Sequence, residues 1–184
     1  MNFNIDLINR AWSLAVRYHD GQKYGSHEPG REIEYLAHIG QVTLELMAAL
    51  QWDPTANANL ALCCAILHDT LEDTDLTQEA VQETFGPDIL AGVQALTKND
   101  ALPGKSAQMM DSLNRILQNP REVAMVKMAD RIVNLSPPPH YWTPEKIDAY
   151  RSEARTILEA LGAANAYLAG RLAERIEQYP YTDN

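Results

Sequence analysis

The chain has 184 residues, 46% of them apolar and 22% charged, with a formal net charge of −10. This length suits one domain whose core needs no disulfide or metal staple, and the balance is that of a soluble globular protein, not of a disordered or membrane one. A general nucleic-acid binder is excluded, because such proteins draw their affinity from basic surface meeting phosphate; any phosphate ligand has to be captured locally.

Ile5, Ile8, Ala11, Trp12, Ala15 and Val16 recur at helical spacing and predict an amphipathic helix over 5–18. His19-Asp20-Gly21-Gln22 ends it, with Gly21 at the cap. Residues 23–31 contain Gly25, Pro29 and Gly30 and read as a loop of the length that is often functional. A second helix is expected over 34–50, with Leu36, Ile39, Val42, Leu46, Met47 and Leu50 inward and His38 beside that stripe. Asp53-Pro54-Thr55 breaks the chain, and the next helix starts near Asn57 and carries the apolar run 60–67. Thr74-Asp75-Leu76-Thr77 is a good N-cap region for a short helix with Gln78 and Glu79 in its first turn that stops at Gly86-Pro87. Further helices are predicted over 88–97 and from Ser106 to Leu117. Pro120 then fits the first position of a helix carrying Val123, Val126, Ala129, Ile132 and Val133. On that helix Lys127, Asp130, Arg131 and Asn134 share one polar sector of about 100°. The run Ser136-Pro137-Pro138-Pro139-His140-Tyr141-Trp142 is a stiff, aromatic-rich loop that no helix crosses. Two closing helices, over 145–161 and 163–179 with a break at Gly162, show packing stripes and no assigned chemistry. No strand-like alternation, repeat or linker is found, so the expectation is a single all-α domain over 1–184 of about nine helices, with a core from 5 to 136.

The only cysteines, Cys63 and Cys64, are neighbours inside the apolar run and read as small core hydrophobes in a reducing compartment. Asp6, Arg10, Arg17 and Asp20 interrupt the first twenty residues, so no secretory signal is expected. No apolar run approaches the ~20 residues that span a bilayer. The cytoplasm is the expected compartment, with no membrane partner; the oligomeric state is left open, a homo-oligomer included.

The stretch that needs explaining is His68-Asp69-Thr70-Leu71-Glu72-Asp73-Thr74, directly after the apolar run. If the helix continues through it, His68, Asp69, Glu72 and Asp73 fall within about 140° of one face. Carboxylates that close repel one another unless a cation or base compensates them. Two readings are open on the residues alone: a divalent metal centre, for which imidazole and carboxylate suit zinc, iron or manganese, and a solvated helix end with His68 capping the last carbonyls.

His38, His68, Asp69 and Asp130 together form a distant His, an adjacent His-Asp pair and a later Asp, and this set resembles the HD-domain metal-dependent phosphohydrolases. His68-Asp69-x-x-Glu72-Asp73-Thr74 with Ala129-Asp130-Arg131-x-x-Asn134-Leu135 narrows the resemblance to the hydrolase domain of the RelA/SpoT alarmone enzymes and, more closely, to single-domain small alarmone hydrolases. The likeness runs from His19-Asp20-Gly21-Gln22 to Leu135 and, more loosely, through the closing helices. It implies hydrolysis of the 3′-diphosphate of guanosine 3′,5′-bis(diphosphate) or its pentaphosphate, or of adenine counterparts, with Mn2+ or another divalent metal. It further implies that His38, His68, Asp69 and Asp130 hold the metal, that Glu72 and Asp73 position and deprotonate water, and that Asn134 contacts the substrate.

The family carries an Arg-Lys pair before its first histidine, where this chain has Lys23 and Tyr24 as the candidate substrate contacts; Tyr24 would stack on the base. A triple proline replaces the usual contacts after Leu135, which makes His140, Tyr141 and Trp142 candidates for a lid. The alternatives on the same scaffold are a phosphatase for another nucleotide or cofactor such as NADPH, and a non-catalytic alarmone sensor.

Overall fold

A computed structural model describes residues 2–180. Among them are nine helices of eight residues or more and one single turn: α1 (Ile5–Tyr18), α2 (Tyr35–Gln51), α3 (Ala58–Leu67), the turn α4 (Thr70–Asp73), α5 (Gln78–Phe85), α6 (Pro87–Leu96), α7 (Lys105–Leu117), α8 (Arg121–Asn134), α9 (Pro144–Leu161) and α10 (Ala166–Gln178). The expected all-α fold is the one found. The N-cap region expected before α5 holds, with Thr77 accepting the Ala80 N–H, whereas the C-cap of α1 is His19, two residues before Gly21. Pro120 sits one residue before α8 instead of inside it. The break at Gly162 is a short 3-10 turn, so α10 begins three residues later than predicted, capped by Asn165.

The architecture is built around α3. Nine of its residues are buried, on every face, which is how a helix reads when it has no solvent side. Helices α1, α2, α6 and α8 surround it. Asn57 caps its start by accepting the Leu60 N–H, while the Asn57 N–H donates to Glu122 Oε1 of α8 at 2.6 Å. Cys63 and Cys64 are buried and unpaired, and burial pushes the Cys63 thiol up to about 12, as the core-hydrophobe reading requires.

Two local features depart from the sequence reading. Residues expected to be a loop form a small antiparallel hairpin, β1 (Lys23–Gly25) against β2 (Glu32–Glu34), in register Lys23↔Glu34, Tyr24↔Ile33 and Gly25↔Glu32. Strands of three residues are too short to show alternation, so main-chain pairing makes them without leaving a pattern in the sequence. The second departure is a break between α3 and α4. His68 Nδ1 bonds Ala65 O at 2.8 Å, Thr70 Oγ1 bonds Leu67 O at 2.7 Å and Thr74 Oγ1 bonds Thr70 O at 2.6 Å. The first two take carbonyls at the end of α3 and the third closes α4, so His68 and Asp69 stand at a corner between the two, their backbones still in the αR region.

Gly92 sets how closely α6 approaches α3 and α8: a Cβ there would lie 2.6 Å from Cys64 Sγ and 3.1 Å from Val123 Cγ2. Gly92→Ala is expected to destabilise the fold by about 1–2 kcal/mol, overpacking outweighing the ~0.5–1 kcal/mol gain from removing a helical glycine. The check is the urea unfolding midpoint, which should fall; an equal or higher midpoint contradicts the close approach.

Candidate metal centre

The corner after α3 points His68 and Asp69 at two neighbouring helices, α2 with His38 and α8 with Asp130. The two imidazole Nε2 atoms lie 3.3 Å apart. Asp69 Oδ2 is 2.9 Å from His68 Nε2 and 3.6 Å from His38 Nε2, and Asp130 Oδ1 is 3.5 Å from His38 Nε2 and 3.9 Å from His68 Nε2. One ligand atom from each of His38, His68 and Asp130 falls within 4.8 Å of the others, and all three residues are buried.

The protonation pattern follows from the partners. Ala65 O can only accept, so His68 Nδ1 carries the hydrogen, and in the neutral ring Nε2 offers its lone pair to the centre. Burial works to lower the His68 pKa, but the charges of Asp69 and Asp130 overcome it and push it up to about 9. Asp69 and Asp130 are held below the usual carboxylate range although burial opposes this, Asp69 chiefly by His68 and Asp130 by Lys127 and the two histidines. The site therefore favours positive charge where the lone pairs converge. Two buried imidazole nitrogens and carboxylate oxygens of this kind fit a divalent cation.

Around the cluster stand the groups that steer it. Asp130 accepts from Lys127 Nζ at 3.1 Å and from Asn134 Nδ2 at 2.5 Å. Tyr35 Oη donates to Asp69 Oδ2 at 2.5 Å and lies 3.2 Å from Asp73 Oδ2. Burial, with the charges of Asp69, Asp73 and Asp130, raises the Tyr35 pKa far enough that the hydroxyl stays protonated. Burial and the Asp69 and Glu72 charges raise the Asp73 pKa too. Glu72 turns away to Lys98, accepting from both its main-chain N–H and its ammonium.

These groups open into a cavity of about 600 Å³ lined by His38, His68, Asp69, Glu72, Asp73, Asp130, Asn134 and Tyr24, all singled out in the sequence. Lys23 is not with them: it pairs with Glu34 at 3.2 Å and faces a second, shallower opening beside His140. Trp142 lines the main cavity, whereas Tyr141 is exposed and its hydroxyl lies against Gly25 of the hairpin. Arg131 is buried against the Tyr150 ring at 4.0 Å and Glu153 at 3.4 Å, a packing role. The sequence reading missed Tyr35, Lys105 and the α9 residues Lys146, Tyr150 and Glu153, all of which line the cavity. The signals were present: Tyr35 is one turn before His38, and the three α9 residues follow an i, i+4, i+7 spacing that reads equally well as packing.

A family model described as HD domain matches residues 11–167. The chain belongs to the HD-domain family. This HD domain is 35% identical over 137 residues to the GTP pyrophosphokinase rsh of Brucella ovis, which covers 72% of the chain but only 17% of that protein. It is 28% identical over 152 residues to the guanosine-3′,5′-bis(diphosphate) 3′-pyrophosphohydrolase MESH1 of Drosophila melanogaster, covering 80% of the chain and 82% of MESH1. Among solved structures, a metazoan SpoT ortholog described as hydrolysing ppGpp superposes with a TM-score of 0.79 at 25% identity, over 99% of this chain and all of that one. Membership and the buried His-His-Asp cluster together make this a divalent-metal site. No helix among the described residues is long and apolar enough to cross a membrane.

Asp130→Ala is expected to weaken divalent-metal affinity at least about tenfold, since it removes a charge at the cluster itself and even outer groups contribute 10–100-fold. Calorimetric titration of Mn2+ into chelator-stripped protein checks this, and equal affinities would place the metal elsewhere.

Proposed function

We propose that the chain hydrolyses the 3′-diphosphate of alarmone nucleotides such as (p)ppGpp or (p)ppApp, using Mn2+ and releasing pyrophosphate, and that it acts in the cytoplasm as a single domain. Similarity to MESH1 along most of both chains supports the reaction class. The observation that carries the reading to this pocket is the placement of lysine. Lys23, Lys98, Lys105, Lys127 and Lys146 are all the lysines in a chain of net charge −10; the last four line the cavity, and Lys23 lines the opening beside it. With Arg131 the four cavity lysines match its five carboxylates, Asp69, Glu72, Asp73, Asp130 and Glu153, so a bound divalent cation would leave the cleft net positive on an acidic protein and suited to a polyanion small enough to enter it.

In this reading His38, His68, Asp69 and Asp130 hold the metal. A divalent cation held there supplies Lewis acidity toward a phosphoryl oxygen and acidifies water. Asp73, half-buried with its pKa raised, takes the proton from the attacking water; its partner Glu72, held by Lys98, orients that water. Asn134, fixed on Asp130, contacts the sugar side of the substrate, and Tyr24 offers a face for the base. Lys127 and Lys98 offset charge gathering on the phosphate.

Purified protein with Mn2+ is expected to release pyrophosphate from a purine 3′,5′-bis(diphosphate), and chelation to abolish it. Asp73→Asn should cut kcat by about 10²–10⁴-fold, the usual contribution of a positioned base, with KM little changed. No pyrophosphate from either the guanine or the adenine substrate would sink the assignment.

A further inference from the structure

One turn of helix cannot by itself hold two carboxylates to sub-ångström tolerance. Asp69 and Asp73 lie at the two ends of the α4 region, tied by Asp73 N–H to Asp69 O at 2.9 Å, and the Asp69 side chain makes no cap bond that would fix it to the turn. Their like charges push the side chains apart. What stands between them is a hydroxyl from another element, Tyr35 at the first position of α2, which donates to Asp69 Oδ2 and lies within reach of Asp73 Oδ2.

We propose that Tyr35 is a positioning residue whose hydroxyl fixes the Asp69 and Asp73 carboxylates against each other, so that metal ligand and water-activating base are held as one unit. The assignment of those two roles rests on the function proposed above.

The ring is built to be immobile. Its main-chain N–H donates to Gln22 O at 2.9 Å. Its face stacks on buried His19, with centroids 4.9 Å apart and planes 26° from parallel, and His19 Nδ1 is fixed by Gln22 Oε1 at 2.5 Å. The His38 ring lies 5.6 Å away on a tilt, and the Tyr24 ring meets it edge-on at 6.1 Å. Gln22 therefore orders both His19 and Tyr35, and the hydroxyl is delivered from a locked rotamer. That gives the segment His19-Asp20-Gly21-Gln22 a purpose beyond ending α1. Because Tyr35 and His38 share α2, the brace also ties the His38 helix to the α4 turn.

A hydroxyl has one hydrogen, and the shorter bond assigns it to Asp69. The Tyr35 oxygen is then an acceptor toward Asp73, available once that carboxyl has taken a proton from water. The bond to Asp73 is therefore complete when that carboxyl is protonated, and while Asp73 is ionised it depends on the one hydroxyl hydrogen being shared between the two carboxylates.

Tyr35→Phe keeps the ring and its stacking and removes only the hydroxyl. The expected result is a Mn2+ affinity about 10–100-fold weaker in chelator-stripped protein, the range for groups that orient metal ligands, with a thermal midpoint close to that of the parent. Hydrolysis of the 3′-diphosphate should lose kcat with KM within about twofold, and the loss should not multiply with that of Asp73→Asn, because both act on one group. Unchanged Mn2+ affinity, or kcat losses that multiply fully in the double variant, overturns the proposal. The metal titration uses no substrate, so it decides the role of Tyr35 toward Asp69 even if the parent releases no pyrophosphate, an outcome that would count against the substrate assignment alone.

Discussion

Two imidazole nitrogens 3.3 Å apart and facing buried carboxylates are the constraint that the rest of the molecule serves. Burying ionised groups costs several kcal/mol each unless partners and hydrogen bonds compensate. Four groups do so: the main-chain Ala65 O fixes one ring, Lys127 and Asn134 bond Asp130, and Tyr35 bonds Asp69. The apolar sheath of α3 makes this affordable, because a helix buried on every face delivers His68 and Asp69 to the same place in every molecule. The residual excess of negative charge and converging lone pairs is what a divalent cation completes.

Much of this was legible in the sequence, and the reason is chemical. His68-Asp69 directly after an uninterrupted apolar run, and a buried Asp130 one turn from Asn134 on α8, are costly placements that a sequence keeps only with compensation. The family model and the His38-His68-Asp130 cluster bear out the family and the metal chemistry. What escaped is what periodicity does not encode. The Lys23–Gly25 hairpin is made by main-chain pairing between short segments. At the corner His68 and Thr70 bond the last carbonyls of α3 through their side chains, so a wheel drawn through 60–73 merges two elements that the structure separates. The lining face of α9 escaped for another reason: Lys146, Tyr150 and Glu153 have the spacing of an ordinary half-buried helix, and only the position of α9 across from α8 turns them into a wall of the cavity.

The net charge and the phosphate ligand are reconciled by location. An overall charge of −10 repels polyanions at long range, but at physiological ionic strength that field fades within about 8 Å. Inside a cleft with low-dielectric walls the local charges dominate. Lys98 and Lys127 already pair with Glu72 and Asp130, so in the proposed reaction those two acids would not expel a phosphate substrate. Lys146 lies 4.1 Å from the centre of the Trp142 ring, which holds its ammonium at the cavity wall.

The hairpin and the proline-rich loop bear on one another in a way that neither segment reveals alone. Gly25 leaves room for the Tyr141 hydroxyl, and a Cβ there would meet it at 3.0 Å. The contact joins the strand that carries Tyr24 to the loop that carries Trp142, the two aromatic residues on the cavity wall from these segments. Lys23, the other residue of the hairpin expected to meet substrate, is drawn outward by Glu34 because strand alternation sends neighbouring side chains to opposite faces. One residue of register in β1 thus decides which side chain faces the cavity, and it selects the aromatic over the cation. Under the proposed function, base recognition would consequently rest on shape and stacking near the hairpin, and charge recognition on the cavity lysines of α7, α8, α9 and the segment after α6.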